Sequence, residues 1–209
     1  SGSGSGGERA GGKRQVRVLI ILALLGVAAP ALANHPAERI DEVMAEREPA
    51  FEAVKGPLPK LALMTDDGRA IELHEQSDKI LVLSFVPAGC GAPCADQQRL
   101  LNEVQSKIGV TPMGGMVSFV TVAAPGTSTL NGWDTQNWQL AMPGGEETTA
   151  ELSTELADAS QRADGSMAYV IDRGAHPRAI FHGGEFGPVN MVLYINGLSN
   201  APQAMTTSV

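Results

Sequence analysis

Two nearly unbroken apolar runs dominate the hydrophobic pattern, "KILVLSFVP" at 79–87 and "GMVSFVTVA" at 115–123. A run of this length without polar alternation predicts a strand buried on both faces. Between them Leu100, Leu101, Val104 and Ile108 recur at helical spacing behind Gln98. That spacing predicts a helix with one face on the sheet. Upstream, "PKLALMTDDGRAIEL" places two short apolar segments around Asp66-Asp67-Gly68. Asp-Gly between apolar segments predicts a hairpin. Downstream, a Gly/Thr/Ser/Asn-rich stretch through Trp133 and Trp138 reads as a long loop, and "EETTAELSTELADAS" as an acidic helix. "MAYVID" (167–172), a turn at Arg173-Gly174 and "RAIFHG" (178–183) read as a second hairpin, and "GPVNMVLYINGL" as a closing helix.

The order is therefore hairpin, strand, helix, strand, helix, hairpin, helix. Strand–helix–strand units pair in parallel through right-handed crossovers. A terminal antiparallel hairpin added to such a sheet is the arrangement of the thioredoxin fold. The expected class is α/β, a central mixed sheet flanked by helices with an N-terminal β-hairpin.

Composition narrows the function. The chain has 209 residues, 43% of them hydrophobic, and a net charge of −8, so it lacks the basic surface that nucleic-acid binding requires. The N-terminus changes the picture more. "SGSGSGG" reads as a linker, tag or misplaced start. Lys13, Arg14 and Arg17 then precede an apolar stretch from Val18 to Ala29 and an Ala31-Leu32-Ala33 cleavage pattern. A membrane span needs about 20 apolar residues, and this stretch is shorter, with Pro30 at its end. The expectation is a cleaved signal peptide and a periplasmic or other extracytoplasmic protein; the alternative is an inner-membrane anchor. The expected domains are 1–33 as linker and signal peptide, 34–57 as a charged helical tether, 58–200 as the thioredoxin-like domain and 201–209 as a flexible tail.

Outside the cytoplasm, nearby cysteines pair unless a reductant or metal intervenes. The chain has two, Cys90 and Cys94, in "SFVPAGCGAPCADQQ", where the first apolar strand turns into its helix. Residues four apart share a helix face. A helix N-terminus favours thiolate, which is both the nucleophile of disulfide exchange and a ligand for soft metals. A purely stabilising disulfide is a weaker reading, since a loop this short contributes only roughly 2 kcal/mol.

These residues resemble the SCO/SenC family of thioredoxin-fold proteins, which deliver copper to the CuA centre of cytochrome c oxidase or act as thiol–disulfide reductases there. The resemblance runs from about Gly56 to Asn200 and is carried by "DDGRAIEL", "KILVLSFVPAGCGAPC", "AYVIDR" and "AIFHGGEFGPVNMVLYINGL". It implies that Cys90 and Cys94 are the redox pair or the two thiolate ligands of Cu(I). It also implies a partner, a cytochrome c oxidase subunit carrying the CuA site or another copper or thiol protein, met by a monomer with no small-molecule cofactor. The chain departs from the family in two places. Ala95 follows the second cysteine where the family carries Pro, and Asp164-Gly165-Ser166 puts Gly165 where the family carries its ligand His.

Topology nominates His182 as a substitute ligand or proton donor, roughly 10 Å from the cysteines at two strand spacings. It places His176 at the far turn; His35 and His74 read as solvated. Met113, Met116, Met142 and Met167 are too dispersed for a thioether site. Asp66 and Asp67 read as turn formers, and the carboxylates of 146–157 as a solvated helix face. Zinc fits poorly, because its sites want three or four protein ligands. Three other functions remain: a metal-independent thiol–disulfide reductase, a peroxiredoxin-like peroxidase and a non-catalytic scaffold. The peroxidase would take its cysteine from the Pro87–Cys94 spacing, although Gly91 stands where its Thr belongs.

Overall fold

The two apolar runs lie side by side at the centre of the sheet. The computed structural model describes residues 1–4, 39–127, 136–162 and 166–200. It divides into units 1–34 and 35–209, and the elements below belong to the second. In chain order they are α1 (Ile40–Arg47), β1 (Phe51–Ala53), β2 (Leu63–Met64), β3 (Ala70–Ile71), β4 (Ile80–Val86), α2 (Ala92–Gly109), β5 (Val117–Ala123), β6 (Trp138–Pro143), α3 (Thr149–Ala157), β7 (Met167–Ile171), β8 (Pro177–His182) and α4 (Pro188–Asn200). The strands form one thioredoxin-like mixed sheet, ordered β1-β8-β7-β4-β5-β6-β2-β3. β4, β5 and β6 run parallel, while β7 lies antiparallel to β4 and β8 to β7.

Every residue of β4 and β5 is buried. Ile80, Val82 and Val86 face a core shared with Leu101 and Val104 of α2 and with Met191 and Ile195 of α4. Leu81, Leu83 and Phe85 face a second core with Leu152 and Leu156 of α3. Two buried faces explain why these strands show no polar alternation. The Asp-Gly hairpin forms as β2 and β3, pairing Leu63 with Ile71, with Gly68 at φ 82° in the turn.

Two expectations need correction. From residue 39 on, the stretch read as a tether is built into the domain. β1 pairs with the edge strand β8, Met44 of α1 is buried, and Asp41 of α1 accepts a 2.7 Å hydrogen bond from the Tyr194 hydroxyl on α4. Met44 is the single buried residue of α1, so the helix shows no amphipathic stripe to betray its packing. The stretch read as loop around Trp138 contains β6, whose Trp138 ring stacks on Phe119 at 5.1 Å. Packing between aromatic faces holds this strand despite its irregular pattern. The signal peptide, Trp133, Gly165, His35 and the 201–209 tail lie outside the described residues.

Candidate active site

The cysteine loop is shaped by glycine. After β4, the Cys90 N–H donates to Pro87 O at 3.2 Å, closing a turn. Gly89 at φ 75° and Gly91 at φ 65° adopt left-handed conformations that a side chain would strain. Gly91 caps α2, and its carbonyl accepts the helix's opening bond from Ala95 N at 3.1 Å. Pro93 sits in the first turn, where its missing N–H costs nothing. Cys90 and Cys94 form a disulfide with Cα atoms 5.8 Å apart.

The two sulfurs are not equivalent. Cys90 is half-buried at the surface, whereas Cys94 is 2% exposed, its Sγ 3.8 Å from Phe85 O. Both line a groove of about 430 Å³ between the loops that follow β4 and β5, with Pro87, Ala124, Pro125 and Thr127 among its walls. Apart from the cysteines, none of the described residues lining it is titratable. The first turn of α2 carries no acidic residue to offset its positive dipole end.

His182 reaches this end of the sheet but opens elsewhere. It pairs in register with Met167, and the neighbouring Ser166 Oγ donates to Pro93 O at 3.5 Å. Phe181 packs into the core on the α2 side, so the next residue, His182, points to the opposite face. There it is 3% exposed, with Nε2 2.8 Å from Glu52 Oε2. Glu52 also accepts from Ser160 Oγ at 2.6 Å and the Gln161 N–H at 2.7 Å. Burial alone would raise the Glu52 carboxyl, but the Gln161 amide, the Ser160 hydroxyl and His182 together hold it below the usual carboxylate range.

His182 lines a separate groove of about 610 Å³, whose other wall is Ala92, Pro93 and Asp96. Among the described residues no three His, Cys, Asp or Glu side chains are grouped to hold a metal. The topology therefore brings His182 to the cysteine end without joining it to the cysteines. His74 is exposed, and His176 lies in the far turn beside Asp172.

A polar lattice escaped the sequence reading. Ser84 Oγ and Thr121 Oγ1 are 3.0 Å apart, Gln98 Nε2 donates to Ser84 Oγ at 3.0 Å, and Thr121 Oγ1 donates to Gln98 Oε1 at 3.2 Å. Trp138 Nε1 donates to Thr121 Oγ1 at 3.0 Å. All four residues are buried. The available signal was a hydroxyl in each central apolar run and a glutamine on the inner face of α2.

No family model and no curated protein matches the chain. Solved structures do. BsSco, a member of the Sco family of cytochrome c oxidase assembly proteins, is 11% identical with a TM-score of 0.55, over 72% of this chain and 98% of that one. A SCO1/SenC family lipoprotein from Bacillus anthracis is 14% identical with a TM-score of 0.54, over 71% and 98%. At these identities the likeness is one of fold.

Proposed function

We propose that the chain is an extracytoplasmic SCO-type protein whose Cys90–Cys94 pair exchanges electrons with the thiols of a partner during assembly of a copper centre, the CuA site of cytochrome c oxidase. The observation that carries this reading is the asymmetric disulfide: one sulfur reachable, one buried, both at a helix N-terminus in an uncharged groove. A structural staple gains nothing from such a groove. An exchange pair needs an exposed attacking sulfur and a shielded resolving one. The likeness in fold to the two Sco structures and the C-x-x-x-C spacing point the same way.

In the reducing direction, the Cys90 thiolate attacks a partner disulfide and displaces one partner thiolate, leaving a mixed disulfide. The Cys94 thiolate then attacks Cys90 Sγ, displaces the second partner thiolate and restores the Cys90–Cys94 bond. Two electrons pass to the partner, and the protons lost by the pair end on the released thiols. Equilibration of the protein with glutathione tests this. A reversible two-electron transition of Cys90–Cys94 is expected; a disulfide that stays closed in excess dithiothreitol while the protein remains folded would make it a staple.

Cu(I) as cargo is the second reading. The Cα atoms are 5.8 Å apart in the disulfide, and once reduced two thiolates this near in the chain suit a soft ion that accepts two ligands. An anaerobic competition titration of the reduced protein checks it: one-to-one binding lost in Cys90→Ser supports delivery, and no binding leaves the thiol reductase reading alone. The basic and apolar stretch 13–33 supports a location outside the cytoplasm in this proposal. No helix among the described residues is long and apolar enough to cross a membrane.

A further inference from the structure

We propose that the Ser84–Gln98–Thr121–Trp138 lattice is the positioning device of the exchange site, pinning the first turns of α2 to the central strands so that Cys94 stays shielded from everything except Cys90. The inference rests on the exchange reading above and assigns it a residue set.

Three features support it. Gln98 lies one helical turn beyond Cys94 on the same buried face of α2, and its amide bridges to Ser84 on β4 and Thr121 on β5. Ser84 immediately precedes Phe85, whose carbonyl is the contact of Cys94 Sγ. The lattice thus fixes both sides of the Cys94 contact, helix and strand. Trp138 ties the same hydroxyl to β6, so three parallel strands share one anchor with the helix.

The directionality of these bonds matters. An apolar contact would let α2 slide or rotate by fractions of an ångström at little cost, because packing is not directional. Here rotation of α2 breaks the bonds to Ser84 and Thr121 and leaves buried polar atoms unpaired. The lattice is also neutral. β4, β5 and β6 carry no charged or titratable residue. Asp96 on α2 is exposed, Tyr194 on α4 is bound to Asp41, and Tyr169 on β7 faces the opposite core.

The test uses the full chain with Cys90→Ser, leaving Cys94 as its one thiol, and follows the rate of alkylation by iodoacetamide at one fixed pH. Thr121→Val keeps the shape and removes the shared hydroxyl. It removes the contacts of Thr121 Oγ1 with Ser84, Gln98 and Trp138, and is expected to speed alkylation at least about fivefold, as loss of even one such bond predicts for access by local opening. Thr121→Ser, which keeps the hydroxyl, should restore the parent rate. Ser84→Ala, the smaller change, takes the place of Thr121→Val should that variant fail to fold. An unchanged rate in a folded variant would overturn the proposal. Because no partner enters the measurement, loss of glutathione exchange with Cys94 still shielded would count against the exchange reading alone.

Discussion

The first turn of α2 separates two grooves with opposite chemistry. On one side lie Cys90, Cys94 and a lining of proline, alanine, glycine and threonine without a charge. On the other lie His182, Glu48, Asp96, Arg162 and Glu185. The charged groove looks the better candidate for chemistry, yet its key groups serve the fold. Glu52 holds His182 and receives Ser160 and Gln161. Glu48 accepts from the Gly187 N–H at 2.8 Å and Asn190 Nδ2 at 2.9 Å at the start of α4. Among the described residues of the uncharged groove the sulfurs are the sole reactive groups. A cluster of titratable side chains is thus a poorer guide here than a reachable sulfur in a neutral wall.

The largest effect should fall on that sulfur. Cys90→Ser is expected to abolish exchange with glutathione while leaving the fold intact, as read by circular dichroism. Next comes the charged groove. Glu52→Gln removes an ionised acceptor from a network with His182 at 2.8 Å, and should cost about 1–3 kcal/mol of stability at pH 7 by denaturant unfolding. The sign with pH follows from the lowered Glu52 carboxyl. Its contribution is fully present above the unfolded value, near pH 4.3, and fades as pH falls through the folded one. The stability difference between wild type and Glu52→Gln should therefore shrink on acidification. A difference that grows toward low pH would remove Glu52 from its structural role.

A smaller effect is expected where the two grooves would have to cooperate. His182→Ala should change Cu(I) affinity less than tenfold, a step of about 1.4 kcal/mol, because the imidazole is held by Glu52. A larger loss in the competition titration would bring His182 into the metal site. At the bottom of the scale, the exposed Arg99–Glu103 pair at 2.9 Å serves as a control. Glu103→Ala should alter stability by at most about 0.5 kcal/mol in thermal unfolding.

How much of this was legible depended on whether a signal was local. The central strands, the helix between them, both hairpins and the closing helix each advertise themselves within about ten residues, through apolar runs, helical spacing or an Asp-Gly turn. The cysteines stand out for the same reason. β1 and β6 do not, since Phe51–Ala53 is three residues long and Trp138–Pro143 has no clean alternation; both are strands because a partner edge is available. The position of His182 at the cysteine end followed from topology, but its commitment to Glu52, 130 residues away in the chain, did not. The lattice was hidden likewise, because a serine, a threonine and a glutamine in apolar surroundings say nothing about one another until the strands are in register.

The central claim is that Cys90 meets the partner and Cys94 resolves it. The most direct measurement is mass spectrometry of the mixed disulfides formed when reduced Cys94→Ser and Cys90→Ser proteins meet a disulfide-bonded test peptide. The account predicts a stable adduct on Cys90 in Cys94→Ser and little or none on Cys94 in Cys90→Ser. Equal adducts on both, or an adduct on Cys94 alone, would contradict it.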